Sequence, residues 1–187
     1  MAINSFLNNL VNKFKQQPDT YREFIQEINN SLWVKGSYNY YKVLKQIKKR
    51  EDVEIVLAEQ KLSQQKVVIK SINKQSLKDK NNMQKLKNLI NILKTLKGAP
   101  NIVEIVEIIE DRKCIHLVMK FAVHGDMVEF IKKRGMLSSD RLKTFMRKIA
   151  LAIKRVHDSG VIHRDIKLTN ILVDAREEPV LADFEIC

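Results

Sequence analysis

Glycine and proline are scarce in this 187-residue chain, at 5 and 3 residues. That excludes collagen-like and linker-like sequence, argues against a turn-rich all-β architecture, and leaves room for long helices. Cysteine is nearly absent as well. Cys114 and Cys187 have neither a CxxC nor a metal-ligand spacing around them, so a disulfide framework is excluded and a reducing compartment, cytoplasmic or nuclear, is expected. No apolar run approaches the roughly eighteen residues of a membrane span. The opening MAINSFLNNLVNKFK also lacks the charged-then-apolar layout of a secretory signal, and no membrane association is expected.

Positive charge, by contrast, is plentiful. The chain carries 34 Lys+Arg against 22 Asp+Glu, a formal net charge of +12, with 44% hydrophobic residues to build a core. Between Tyr41 and Lys97 there are fifteen basic and five acidic residues, so +10 of the excess sits in this one segment. The lysines are spread over several predicted elements with no aromatic interleaved. A solvated basic face is therefore favoured over a nucleic-acid surface, and nucleic acid is not expected as a partner.

Hydrophobic spacing divides the chain into three parts. In residues 1–36, Leu7, Leu10, Val11 and Phe14 recur at helical spacing, as do Tyr21, Phe24, Ile25, Ile28 and Leu32, with Pro18-Asp19 between them as a helix start. This predicts an amphipathic helical hairpin. Residues 41–119 change period: Tyr41–Ile47, Glu54–Gln60 and Lys66–Ile72 read as a three-strand meander, Met83–Leu96 as a helix, and Val103–Ile109 and Cys114–Met119 as two further strands. Residues 120–187 are mainly helical, with Met127–Lys133 short and Ser138–His157 long. In the longer helix Leu142, Phe145, Met146, Ile149, Ile153 and Val156 share one face and Ser138 stands at the cap position. The order predicts an α+β chain with a small antiparallel sheet lobe and a helical lobe.

The most informative run is Val161-Ile162-His163-Arg164-Asp165-Ile166-Lys167-Leu168-Thr169-Asn170-Ile171-Leu172. It resembles the catalytic loop of protein kinases, H-R-D-x-x-x-x-N. Supporting motifs occur in the family's order. Val67-Val68-Ile69-Lys70 resembles the strand bearing the ATP lysine, and Pro100-Asn101-Ile102-Val103 the turn after the lobe-bridging helix. Leu117-Val118-Met119-Lys120-Phe121 resembles the approach to the hinge, and Ala182-Asp183-Phe184-Glu185 the metal-binding D-F-G. The resemblance covers about 41–187 and implies a bilobal kinase-like fold whose helical lobe is incomplete, ending after the D-F-G position. It implies ATP and Mg²⁺ as cofactors and a protein substrate or partner. Lys167 is similar to the residue of the Ser/Thr-directed branch, and Leu96–Ile102 is faintly similar to casein-kinase-like members. Separately, Phe14–Ile25 resembles the middle of a paired amphipathic helix module, though only about thirty residues of the chain match.

The kinase resemblance implies roles residue by residue. Asp165, Lys167 and Asn170 are the catalytic set, and Asn170 and Asp183 are hard oxygen ligands for Mg²⁺. Lys70 holds the nucleotide phosphates. Ile47, Ile55 and Val68 lie above the adenine and Leu172 below it, with Met119, Lys120 and Ala122 along the hinge and Asp126 at the ribose. Four departures accompany these matches. The glycine-rich loop positions read Lys48, Arg50 and Val53. Leu89 stands where the helix should present a glutamate to Lys70, Glu185 replaces the glycine of D-F-G, and the later helices of the family are not matched. An apolar strip on Ser138–His157 is therefore expected to be exposed, or covered by a partner chain. Two functions stay open: a Ser/Thr protein kinase of impaired activity, and a pseudokinase that serves as a binding or regulatory scaffold.

Overall fold

The computed structural model describes residues 33–34 and 38–184. The predicted N-terminal hairpin and its paired-helix resemblance lie outside the described residues, as do Glu185 and Cys187. Apart from Trp33, the described residues belong to one compact unit, Val34–Cys187.

A six-stranded sheet dominates the first part, in the order β1-β5-β6-β4-β3-β2. Its strands are β1 (Trp33–Val34), β2 (Tyr41–Lys49), β3 (Val53–Gln60), β4 (Lys66–Asn73), β5 (Ile105–Glu110) and β6 (Cys114–Lys120). The expected meander β2-β3-β4 forms with every neighbour antiparallel, and β4 then pairs with β6 rather than with β5. Because residues directly opposite one another share a face, the register sorts the side chains. Val56, Ala58, Val67, Ile69, Ile109 and Val118 fill one face together with Tyr41. The Tyr41 hydroxyl donates to the Glu107 carboxylate, although three strands separate β2 from β5 in the sheet order. Only a strongly curled sheet brings these two strands together.

The outermost of the long strands, β2, is buried only at Tyr41. It carries Lys42, Lys45, Lys48 and Lys49 and has two register irregularities, which blunt an otherwise open edge.

Helix α1 (Lys80–Thr95) buries Met83, Leu86, Leu89, Ile90, Ile92 and Leu93. It starts before the first apolar position because Asp79 caps it, accepting from the amides of Asn81 at 2.7 Å and Asn82 at 3.1 Å. The turn that follows fastens the sheet lobe to the helical lobe. Asn101, at φ 63°, donates its side-chain amide to the Pro179 carbonyl at 2.8 Å. Val103 N–H donates to Leu181 O and Leu181 N–H to Asn101 O, at 2.9 and 2.8 Å.

The helical lobe contains α2 (Met127–Arg134), α3 (Ser139–Asp158) and a hairpin of β7 (Ile171–Val173) and β8 (Pro179–Leu181). Sequence periodicity missed this hairpin, since three-residue strands are too short to show alternation. On α3, Phe145, Ile149, Ala152 and Val156 are buried. Leu142 and Met146 remain 44% and 56% exposed, so part of the predicted apolar face is open. Ser138 occupies the N-cap position as expected, but its hydroxyl makes no capping hydrogen bond.

Candidate active site

The segment after α3 is held from inside by His163, which is 1% exposed. Its Nε2 lies 2.9 Å from the Ala182 carbonyl oxygen, an acceptor only, so this nitrogen carries the proton. Nδ1 then accepts from the Asp165 amide at 3.3 Å. The ring also lies 4.7 Å from that of Phe184, which is 2% exposed. From the other side, Ala182 N–H donates to the Asn170 carbonyl at 2.9 Å. One buried histidine thus ties the H-R-D segment to the D-F segment. Arg164 and Asp183 both have positive φ, 62° and 67°, a conformation that costs a non-glycine residue on the order of 1–3 kcal/mol and persists where surroundings over-determine it.

Asp165, Lys167 and Asn170 converge in this frame. Asp165 Oδ2 accepts from Lys167 Nζ at 2.6 Å and from Asn170 Nδ2 at 2.8 Å. Asn170, itself buried, also donates to the Asp165 carbonyl at 2.8 Å. The Lys167 hydrogen bond, helped by the Asn170 hydrogen bond and the Lys167 charge, holds the Asp165 carboxyl below its ordinary 3.8. With its amide nitrogen committed to Asp165, Asn170 presents its Oδ1 as a hard oxygen. Asp183 is exposed, two residues beyond the chain-pairing residue Leu181.

Lys70 is 7% exposed on β4. Burial lowers its ammonium from 10.5 to about 8; the Asp183 carboxylate acts in the opposite direction, and the Lys48 and Arg50 charges add to the lowering. The register explains how a lysine on the edge strand reaches it: Lys48 is opposite Ile55, and Ile55 is opposite Lys70. Helix α1 contains no acidic residue, and Leu89 is buried in its apolar face.

The remaining predicted residues divide. Val68 is opposite Met119, and Ile55 is opposite Lys70; all of them but Lys70 are half-buried, as is Leu172 on β7. Leu172 bridges to Asp126. Ile47 is not gathered with them: it falls at the irregularity between Gln46 and Lys48 and is 52% exposed. Along the hinge, Lys120 N–H is taken by the Glu104 carbonyl at 3.0 Å and the Ala122 carbonyl by Gly125 N–H at 3.2 Å. Asp126 also caps α2, accepting from Glu129 N–H at 2.9 Å. Gly125 holds a left-handed backbone at φ +73°, which would strain any residue with a side chain.

A second polar network went unforeseen. On the sheet face opposite Lys70, Ser71 Oγ lies 2.8 Å from His116 Nδ1, and His116 Nε2 3.0 Å from Asp111 Oδ2. Ser71 and His116 are direct cross-strand partners, and Tyr38 stacks on the imidazole at 4.4 Å. Burial raises the Asp111 carboxyl, but the His116 hydrogen bond and the Cys114 and Lys113 amides outweigh it and hold the group low. Residues so far apart in sequence give no local signal; only the β4–β6 register joins them.

Known proteins resemble this chain over part of its length. The chain is 40% identical over 78 residues to the serine/threonine-protein kinase tricornered of Drosophila pseudoobscura pseudoobscura, covering 42% of this chain and 17% of that protein. It is 43% identical over 70 residues to testis-specific serine/threonine-protein kinase 1 of Homo sapiens, 37% of this chain and 19% of that one. With NUAK family SNF1-like kinase 2 of Pongo abelii it shares 35% over 118 residues, 63% and 19% of the two chains. The alignments thus span less than a fifth of each relative's length. The family model of the protein kinase domain matches residues 41–187, the stretch that holds both lobes and the Asp165 cluster, and the chain belongs to the protein kinase domain family.

Proposed function

We propose that this domain binds ATP with Mg²⁺ and transfers the terminal phosphoryl group to a serine or threonine hydroxyl of a protein, at a rate lowered by the missing acid on α1. The observation that carries the reading is the hydrogen-bonded group of Asp165, Lys167 and Asn170, tied through Ala182 to Asp183. Phosphoryl transfer demands positioning and charge neutralisation more than covalent chemistry. Asp165, kept ionised by Lys167 and Asn170, orients the incoming hydroxyl and accepts its proton. Lys167, resting on the same carboxylate, meets the negative charge of the moving group, and Lys70 holds the inner phosphates.

Asn170 Oδ1 and the exposed Asp183 carboxylate are the donor types that Mg²⁺ takes, alongside phosphate oxygens. Bound there, the ion supplies charge neutralisation at the phosphates. The adenine fits between Ile55 and Val68 on the sheet side and Leu172 below, next to Met119. Ala122 N–H, which makes no backbone hydrogen bond among the described residues, and the Lys120 carbonyl serve its edge, and Asp126 stands at the ribose. We further assign the sheet lobe to 41–119, the partial helical lobe to 120–187 and an extension to 1–36. The open Leu142–Met146 strip suits a partner protein.

One observation favours the second reading, a pseudokinase scaffold: α1 has no acid and buries Leu89, so the ion pair that organises an active kinase is not formed from this helix. Two measurements decide. Saturating Mg-ATP at about a hundred times its Kd should raise stability by roughly 2.7 kcal/mol. ATP labelled in its γ-phosphate should slowly label a generic basic protein, and Asp165→Ala should abolish labelling. Labelling that survives Asp165→Ala refutes the assignment; a stability gain without labelling selects the scaffold.

A further inference from the structure

We infer that Lys48, Arg50 and Lys70 form a cationic clamp on the triphosphate of the nucleotide, and that this clamp holds the nucleotide whether or not a divalent cation is bound with it. The inference rests on the nucleotide-site reading above and adds to it the groups that grip the phosphates. A glycine loop grips phosphate through backbone amides, which requires that no side chain stand in the way. Here the loop positions are Lys48, Arg50 and Val53, so contact at this place is made by side chains.

The register puts those side chains where they are needed. Lys48, Ile55 and Lys70 are successive direct partners across β2, β3 and β4, so all three project from one face of the sheet, with Lys48 and Lys70 about 10 Å apart at the backbone. Arg50 N–H donates to the Val53 carbonyl at 2.9 Å, which closes the turn over the same end of the sheet. Lys48 and Arg50 are both exposed, and among the described residues neither pairs with a carboxylate. Their charges nevertheless bear on the Lys70 ammonium, and the Asp183 carboxylate acts on it in the opposite direction.

Like charges gathered on one sheet face repel, and a polyanion relieves that repulsion while supplying an acceptor for each cation. A triphosphate fits because its charge is linear and can meet the three cations at once; a single phosphate meets fewer of them. Lys49 provides the contrast. It is adjacent in sequence and equal in charge, but the alternation of the strand directs it to the opposite face, opposite Glu54, with which it pairs at 3.9 Å.

The test is equilibrium binding of a fluorescent ATP analogue to the full chain, in excess EDTA and in excess Mg²⁺, with inorganic triphosphate as competitor. The clamp predicts Kd values within about tenfold of one another in the two conditions, and displacement by triphosphate in EDTA. Lys48→Ala with Arg50→Ala should weaken binding in EDTA by at least about tenfold. Lys49→Ala should change it by less than about twofold. Unchanged thermal melts of these surface variants establish that they fold. Binding that disappears in EDTA, or that Lys49→Ala weakens as much as the double variant, overturns the clamp while leaving the nucleotide site intact. No binding in either condition refutes the nucleotide site itself.

Discussion

Replacing Lys70 by methionine should make the protein more stable, even though it removes the cation to which the proposed nucleotide site assigns the inner phosphates. The ammonium is buried on β4, and its pKa falls from 10.5 to about 8. At about 1.4 kcal/mol per tenfold change in proton affinity, the folded state carries a cost on the order of 3 kcal/mol while Lys70 is charged. The sign follows from proton counting. Between about 8 and 10.5 the unfolded chain keeps the proton and the folded chain gives it up, so stability rises with pH across that window and is lowest below it. Methionine keeps the unbranched stem and removes the charge. Lys70→Met should therefore exceed the wild type by up to about 3 kcal/mol at pH 7, and the two should converge above pH 10 or so. Urea unfolding at a series of pH values from 7 to 10 measures the difference directly. A variant no more stable than wild type at pH 7, or a difference that stays constant with pH, would show that burial does not act on Lys70 as described.

Two further substitutions examine the joints of the fold. Asn101 sits at φ 63° and donates to the Pro179 carbonyl at 2.8 Å. Asn101→Gly should cost about 1 kcal/mol for the hydrogen bond, and Asn101→Ala about 1–2 kcal/mol more for the left-handed backbone; equal losses in urea denaturation would contradict the geometry. Asp111 is held below its ordinary 3.8 against the effect of burial, so the stability it adds is present above about pH 4 and lost as pH falls through its lowered value. Acid titration of Asp111→Asn, followed by circular dichroism, should therefore show a shallower decline than wild type; parallel curves would rule out a contribution from the Ser71–His116–Asp111 network.

The elements of the sheet lobe were largely legible in the sequence because period-2 and period-3.6 patterns are local. Strands beginning at Tyr41, Lys66 and Cys114 start where alternation predicts, and α1 departs only by its polar first turn, which the Asp79 cap organises. The hydrogen-bonded cluster of the candidate site was legible for a different reason: Asp165, Lys167 and Asn170 lie within six positions of one another, so a short motif holds them all. Information that depends on register was not legible. Nothing near Lys70 in sequence says that Lys48 reaches the same face, or that Ser71 meets His116, and Ile47 leaves the ladder because of a bulge that no local pattern announces. The β7–β8 hairpin was lost for want of length.

The clasp between Tyr41 and Glu107 also sets an order on how the lobe comes into being. Its two ends are 66 residues apart, and at about 5–20 residues per second a ribosome takes roughly 3–13 s to add the intervening chain. The β2-β3-β4 meander, made from neighbouring segments, can pair during that interval, but its Tyr41 hydroxyl has no carboxylate to meet and its centre, β4, has no β6 beside it. A nascent chain paused before Glu107 therefore exposes the flank of β4 as an unpaired ribbon, and the curl of the sheet is completed only after β5 and β6 have emerged.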